Sequence, residues 1–146
     1  MKTFRGALPP SLIHVCYDGK RALKGEHRDR VTNKDAWQFT ISINLDEALQ
    51  YKYPNKPRWD YGLGMKNNNT PNERVFWVEV HPASDSSGML KKIRWLKNWI
   101  HSEAAKFLQL DNVFIWISTS GGSPRHHLRE LKQAGLKPPR QKIELP

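Results

Sequence analysis

The stretch RVFWVEVHPA, residues 74–83, decides the fold because it has the composition of a buried strand and yet carries two ionisable groups. Side chains alternate between the two faces of a strand. Phe76 and Val78 therefore share one face, which is purely apolar. The Glu79 carboxylate and the His81 imidazole share the opposite face. Since a charge buried within a strand is unfavourable without a partner or a metal ion, this pair predicts a functional site.

Structural roles compete with that interpretation. Glu79 could pair with Arg58 or Arg74 and serve the fold alone. His81 precedes Pro82 at the end of the predicted strand, a position where a hydrogen-bonded structural histidine is common. Both alternatives stay open at the level of the sequence.

The residues upstream complete a hairpin with this strand. The segment RWDYGLGMK predicts a strand from Arg58 to about Met65, and NNNTPNE predicts its turn, since it is rich in Asn and contains a Pro. The alternation in AWQFTISI predicts another strand before the hairpin. Between them, Asn44 with Glu47 three residues later predicts a capping box that opens the helix LDEALQYKY.

The residues downstream predict helices that alternate with strands. SDSSG caps a long helix from about Ser87 to Leu108, in which apolar residues recur at helical spacing. VFIWIST predicts a buried strand after it. Ser123 and Pro124 predict the start of a second helix, which Gly135 ends in a left-handed conformation, and QKIEL predicts a last strand.

This order of elements predicts a mixed α/β domain, in which helices pack against a sheet. The 146 residues predict a single domain over residues 1–146, with a basic N-terminal section at 1–35 and a core at 36–146. Within the N-terminal section, LIHVCY predicts a short strand. Residues 19–35 predict a mobile basic loop or arm, because they are charged and punctuated by Gly.

The charge of the chain favours a polyanionic partner. Lys and Arg total 24 against 14 Asp and Glu, a formal net charge of +10. Residues 35–87 are the exception, with five basic and seven acidic residues. We expect nucleic acid as the partner, and DNA rather than RNA, although a solvated basic surface would have the same composition.

The same composition bounds the compartment. The one cysteine, Cys16, cannot form an internal disulfide and fits a reducing environment. No apolar run is long enough to span a bilayer, and the N-terminus has no apolar stretch of signal-peptide length. The sequence therefore predicts a soluble cytoplasmic protein that is not bound to a membrane.

The hairpin also brings a second carboxylate towards Glu79. Asp60 lies in the first strand of the hairpin and Glu79 in the second, so antiparallel pairing can place them opposite each other. Mg²⁺ is usually held by one or two carboxylates together with water. A carboxylate pair within a basic chain therefore predicts a site for Mg²⁺ or Mn²⁺ that acts on a phosphodiester.

These residues resemble the motif of the PD-(D/E)XK nuclease superfamily. Asp60 matches the Asp of the motif, EVH at residues 79–81 stands where (D/E)-x-K is expected, and Glu47 matches the Glu of the preceding helix. The element order over residues 44–118 also agrees. The resemblance implies a restriction-endonuclease-like αβββαβ core, with a central mixed sheet flanked by helices. It also implies a metal-dependent nuclease in which Asp60, Glu79 and Glu47 hold Mg²⁺ or Mn²⁺.

The chain departs from the motif where its Lys is expected, because His81 stands there. Some members of the superfamily carry the basic residue on the following helix, and Lys92 is the candidate for that position. His81 could itself act as a general base or as a metal ligand. The predicted catalytic residues are therefore Asp60 and Glu79 together with His81 or Lys92.

The basic flanks are expected to hold the phosphate backbone, through Arg58, Lys91, Arg125 and Lys132. Because the Lys of the motif is missing, a catalytically degenerate nucleic-acid-binding module is an alternative. A small regulator that binds another protein, of a phage or defence type, is a third possibility that nothing in the sequence selects. The stripe formed by Trp95 and Trp99 could serve a homodimer interface or fill the core.

Overall fold

The computed structural model describes every residue from Met1 to Pro146. The strands, in chain order, are β1 Cys16–Asp18, β2 Val31–Asn33, β3 Trp37–Asn44, β4 Tyr61–Asn67, β5 Arg74–Val80, β6 Asp111–Ile117 and β7 Ile143–Leu145. The α-helices are α1 Phe4–Ala7, α2 Gly25–Arg28, α3 Leu45–Leu49, α4 Ser86–Glu103 and α5 Leu128–Gln133. Two 3-10 helices, Pro10–Val15 and Ala105–Gln109, complete the chain.

Five strands form a mixed sheet in the order β1-β3-β4-β5-β6. The first three pairings are antiparallel, and β5 pairs with β6 in parallel. A parallel pair needs a crossover, which α4 and the 3-10 helix after it supply between β5 and β6. A separate two-stranded parallel sheet joins β2 to β7. The predicted mixed α/β architecture, with a central mixed sheet flanked by helices, is confirmed.

The two faces of β5 pack into two different hydrophobic clusters, as the alternation of RVFWVEV predicts. Val75 and Trp77 belong to a cluster of 23 residues under α1 and α4, whereas Phe76 and Val78 belong to a cluster of 11 residues on the other face. Glu79 therefore points from β5 towards α4. It ends the apolar row that begins with Val75 and Trp77.

The N-terminal section is packed against the core, so the prediction of a mobile arm at residues 19–35 is wrong. Leu23 and Val31 are buried in the smaller cluster, and β2 within this section pairs with β7. The Lys20 ammonium donates hydrogen bonds to the carbonyl oxygens of Arg28 and Val31. These contacts hold the charged segment in a fixed position against the rest of the domain.

Other boundaries also differ from the predictions. LIHVCY is mostly a 3-10 helix, because Pro10 starts a helical turn, and β1 begins only at Cys16. The helix that was expected to open at Ser123-Pro124 begins at Leu128. Gly135 has a φ of 85°, so the predicted left-handed residue after that helix is confirmed.

The elements around the hairpin are shorter than predicted. Helix α3 ends at Leu49, and β4 begins at Tyr61 rather than at Arg58. Helix α4 begins one residue before the predicted start, because Asp85 caps it, and its last predicted turn is the 3-10 helix. None of the helices is both long enough and apolar enough to span a membrane.

Candidate active site

Asp60 and Glu79 lie side by side at the adjoining ends of the two neighbouring central strands β4 and β5. Because Tyr61 pairs with Val78 in the antiparallel ladder, Asp60 faces Glu79 one step further along. The main-chain N–H of Asp60 donates to Glu79 Oε1 over 3.0 Å. The main-chain N–H of Val80 in turn donates to Asp60 Oδ2, also over 3.0 Å. These reciprocal bonds fix the two carboxyl groups that the sequence predicts to meet.

Lys92 supplies the cation of this cluster. It lies on the second turn of α4, and its Nζ is 2.6 Å from Glu79 Oε2. The Glu79 side chain is fully buried, whereas that of Lys92 keeps 23% of its surface exposed. The partner of the buried carboxylate is therefore Lys92, and neither Arg58 nor Arg74 contacts Glu79.

The charges within the cluster are strongly coupled. Burial and the adjacent Asp60 carboxylate raise the pKa of Glu79 well above its ordinary value, and Lys92 offsets only part of this effect. Burial alone would lower the pKa of Lys92, but the charge of Glu79 and its hydrogen bond, together with Asp60 and Asp46, raise it. Two carboxyl groups thus share one ammonium, which leaves an excess of negative charge once both are ionised.

His81 lies beside the cluster but is directed away from it. Its Nε2 is 2.9 Å from Asp85 Oδ2, while its Nδ1 is 3.9 Å from Glu79 Oε2. Asp85 is also the N-cap of α4, where the amide of Gly88 donates to Oδ1. That bond first, and the bond to His81 second, lower the pKa of Asp85. Of the two basic residues that the sequence proposes, Lys92 makes the direct contact with Glu79.

The segment before Asp60 is held in place by α3. The main-chain N–H of Leu45 donates to the carbonyl oxygen of Asp60 over 2.8 Å. The Arg58 guanidinium donates from Nε to Asp46 Oδ1 over 3.0 Å and from Nη1 to the carbonyl oxygen of Tyr53. Arg58 therefore anchors the chain ahead of the site, although the sequence places it among the phosphate-binding residues.

Glu47 does not join the two carboxylates in one metal site. Its main-chain N–H donates to Asn44 Oδ1, which confirms the predicted N-cap, but its side chain is exposed. The structure contains no cluster of three or more His, Cys, Asp or Glu side chains suited to a metal ion. The predicted set of Asp60, Glu79 and Glu47 is thus not assembled. The α3 residue whose charge acts on Lys92 is Asp46, which the sequence analysis missed.

Asp60 and Glu79 alone fit a divalent cation of the Mg²⁺ type. Asp60 Oδ2 accepts the main-chain N–H of Val80, and the Asp60 carboxyl group also lies within hydrogen-bonding reach of Glu79, so the two groups are close enough to hold one cation together. A cation there would neutralise the excess charge of the carboxyl pair, and Mg²⁺ needs only one or two carboxylates when water fills the other positions.

Tyr61 is a second residue that the sequence analysis missed. It is buried next to Asp60, and its Oη lies 2.7 Å from His27 Nδ1. Burial raises the pKa of Tyr61 to about 12, and the carboxylates of Asp60, Glu47 and Glu79 add to the shift. The amide of Lys24 also donates to this oxygen. Tyr61 thus links the basic N-terminal section to the strand that carries Asp60.

The remaining predicted residues divide between surface and core. Lys91, Arg125 and Lys132 are exposed, as a contact with phosphate requires. The rings of Trp95 and Trp99 stack with centroids 6.3 Å apart, and Trp99 is buried against Trp77. Trp99 therefore belongs to the core, whereas Trp95 is only partly buried against it.

Comparisons of this chain with protein-family models, with curated proteins and with solved structures gave no match.

Proposed function

We propose that this protein is a metal-dependent nuclease, and that Asp60, Glu79 and Lys92 form its active site. The observation that carries the proposal is the 2.6 Å contact between Lys92 Nζ and Glu79 Oε2, beside the hydrogen-bonded pair of Asp60 and Glu79. Two carboxylates at the ends of neighbouring strands, with one ammonium beside them, are the groups that the PD-(D/E)XK motif requires. Here the ammonium comes from the following helix.

The order of the elements supports the same proposal. Strands β3, β4 and β5 form an antiparallel meander, α4 crosses over, and β6 returns parallel to β5. This order is the one expected for the βββαβ part of a restriction-endonuclease-like core, and it therefore supports the proposal. Asp60 precedes its second strand, Glu79 lies in its third, and Lys92 lies on its helix.

Asp60 and Glu79 are the residues that would hold Mg²⁺ or Mn²⁺. When bound there, the ion would polarise the phosphodiester and lower the pKa of the attacking water. Lys92 keeps Glu79 oriented through one of its three N–H donors. The other two donors are available for the attacking water or for a phosphate oxygen.

His81 acts as a positioning residue in this proposal. Its imidazole is tied to Asp85, and its main-chain carbonyl oxygen accepts the indole N–H of Trp116 over 2.9 Å. These contacts fix the end of β5 directly after Glu79. The alternative of a degenerate binding module rests on the absence of the motif Lys. The position of Lys92 beside Glu79 disfavours this alternative, because Lys92 can replace that Lys.

A polyanionic substrate is consistent with the charge of +10. Lys91, Arg125 and Lys132 are exposed and could contact the phosphate groups of the substrate, while the acidic pair binds the metal. Electrostatic attraction of this kind depends on salt and not on base sequence. We propose DNA as the preferred substrate.

Cleavage assays on supercoiled plasmid, labelled single-stranded DNA and labelled RNA test the proposal, each with Mg²⁺, Mn²⁺ or EDTA. We expect metal-dependent cleavage that is lost in Asp60→Asn. The matched control is Asp111→Asn, because the Asp111 side chain is 83% exposed and lies at the end of β6 that is remote from Glu79. Cleavage that survives in Asp60→Asn would refute the site. Salt-sensitive binding without cleavage of any substrate would favour the binding module.

A further inference from the structure

Two cavities adjoin each other at the loop that follows β6, and they share Gly122 and Ser123. One, of about 560 Å³, has no apolar residue in its lining, and we call it the polar groove. The other, of about 480 Å³, is the apolar pocket. The polar groove is lined by Ser84, Gly121, Gly122, Ser123, Arg125 and His126.

The polar groove presents unused hydrogen-bond donors. None of the main-chain N–H groups of residues 119–127 donates a hydrogen bond to another group of the chain. Arg125 and His126 form no ion pair or hydrogen bond within the chain. Free amides next to a guanidinium are the donors that bind a phosphate group.

The apolar pocket has the size and lining of a site for a flat ring. Its apolar walls are formed by Trp116, Pro124, Leu128, Leu131, Leu136 and Pro138. Leu128 is 54% exposed, so its side chain is available to a ligand. Trp116, Leu131 and Leu136 are at most 7% exposed and form the floor of the pocket, so Leu128 and the prolines offer the surface against which a base would pack. Lys132, which the sequence assigns to nucleic-acid binding, lies at the same pocket.

Both cavities are connected to the carboxyl pair through neighbouring residues, although Asp60, Glu79 and Lys92 line neither of them. Trp116 on β6 is the register partner of Glu79 on β5, so the two side chains lie on the same face, about 4.8 Å apart along the sheet. The Trp116 indole N–H also holds the carbonyl oxygen of His81. Ser84, in the polar groove, follows His81 by three residues, a reach of at most about 11 Å.

We propose that the polar groove and the apolar pocket together bind one nucleotide of the substrate, its phosphate in the groove and its base in the pocket. The base of a paired nucleotide is stacked within the duplex and cannot enter a pocket unless it is flipped out. The substrate strand is therefore unpaired beside the cleavage site, as in single-stranded DNA or a flap. This inference rests on the proposed nuclease function and specifies its substrate.

Binding to a catalytically blocked protein tests the inference separately from cleavage. In the Asp60→Asn background with EDTA, fluorescence anisotropy would measure the Kd of a short labelled DNA strand and of the matching duplex. We expect the single strand to bind more tightly. Arg125→Ser should raise the Kd of the single strand about tenfold and lower the slope of log Kd against log salt by about 0.7. Leu128→Ser should raise the Kd about fivefold or more.

Two matched controls separate the subsite from general effects of charge and apolar surface. Arg129→Ser removes an exposed charge near Arg125 that does not line the groove. Leu108→Ser removes a leucine that is 52% exposed, almost the same as Leu128, outside the pocket. Both controls should leave the Kd of the single strand unchanged.

Titration with inorganic phosphate gives an independent readout of the groove. We expect the amide NMR signals of Gly121 and Gly122 to shift in the wild-type protein and not in Arg125→Ser. Equal affinity for duplex and single strand, with no effect of Leu128→Ser, would overturn the nucleotide subsite even if cleavage were observed. If the single strand binds as expected but the wild-type protein cleaves no substrate, only the proposed nuclease function is refuted.

Discussion

Lys92 Nζ lies 2.6 Å from Glu79 Oε2, and this contact joins the middle of the sheet to the helix that crosses over it. Glu79 is fully buried, so without the ammonium its negative charge would have no counter-charge in the interior. The same ammonium is close enough to Asp60 and Asp46 for both to raise its pKa. The charge of Lys92 thus acts on three carboxylates, of which Glu79 is the one in direct contact and Asp46 is paired with Arg58.

Lys92→Met tests whether this ammonium takes part in the chemistry. We expect cleavage to fall by about a hundredfold or more, because a positioned group that orients or activates water contributes factors of that size. The fold should persist, since Glu79 can take up a proton when its cation is lost. Cleavage rates together with circular dichroism would check both points.

Lys106→Met is the control for that variant, because Lys106 is an exposed lysine that contacts none of the three carboxylates. It should cleave like the wild-type protein. If Lys92→Met retained full activity, the basic residue of the site would have to be sought elsewhere, with His81 as the first candidate.

Glu79→Gln tests the effect of the buried carboxyl group on stability. The pKa of Glu79 is raised in the folded state, so the folded protein binds a proton that the unfolded chain releases near the ordinary value of 4.5. Its contribution to stability is complete below that value and is lost as the pH rises through the folded pKa. Without metal, the wild-type protein should therefore lose up to about 1.4 kcal/mol per pH unit in this window.

In Glu79→Gln this loss should disappear. Urea unfolding at several pH values in EDTA would measure it, with Glu130→Gln as the control, since Glu130 is exposed on α5. A parallel pH dependence in wild type and Glu79→Gln would show that Glu79 does not carry the effect.

The predictable parts of this structure are those that depend on local pattern. The alternation of Val75, Phe76, Trp77 and Val78 places Glu79 on the face towards α4, and the hairpin then brings Asp60 opposite it. Both follow from a period of two and from antiparallel pairing. Neither needs any knowledge of distant contacts.

The parts that could not be predicted depend on how separate elements pack. The placement of α4 over the sheet brings Lys92 Nζ into contact with Glu79, while the imidazole of His81 is bonded to Asp85. The burial of Leu23 and Val31 was missed because each is an isolated apolar residue in a charged segment. They are buried because they pack with the apolar side chains on the face of the sheet opposite α4, in the cluster of 11 residues to which both belong.

Tyr61→Phe tests the link between the N-terminal section and the site. The change removes the oxygen that lies 2.7 Å from His27 Nδ1 and accepts the amide of Lys24, while the ring still fills its place. We expect a loss of about 1–2 kcal/mol in the free energy of unfolding, because two partly buried donors or acceptors lose their partner. Faster hydrogen exchange at residues 24–28 should accompany it.

Tyr17→Phe is the matched control, because Tyr17 is 53% exposed and forms no side-chain hydrogen bond. It should leave both the stability and the exchange rates unchanged. Equal exchange at residues 24–28 in wild type and Tyr61→Phe would mean that the segment is held by Leu23 and β2 alone.

Metal binding should be coupled to the loss of a proton. A divalent cation requires Glu79 in its ionised form, but burial and Asp60 raise the pKa of Glu79 and favour the protonated form. The affinity for Mg²⁺ or Mn²⁺ should therefore increase with pH until the folded pKa is passed. At a concentration of about 100 times the Kd, the ion should stabilise the protein by about 2.7 kcal/mol.

Calorimetric titration with Mn²⁺ in buffers of different ionisation enthalpy would measure the proton released, and thermal unfolding would measure the stabilisation. Asp60→Asn should abolish both effects, whereas Asp111→Asn, whose side chain is 83% exposed, should retain them. Glu79→Gln should bind weakly and release no proton, because the group that exchanges a proton for the metal is gone. Binding of Mn²⁺ that releases no proton from the wild-type protein would place the ion away from Glu79 and would remove the metal from the proposed site.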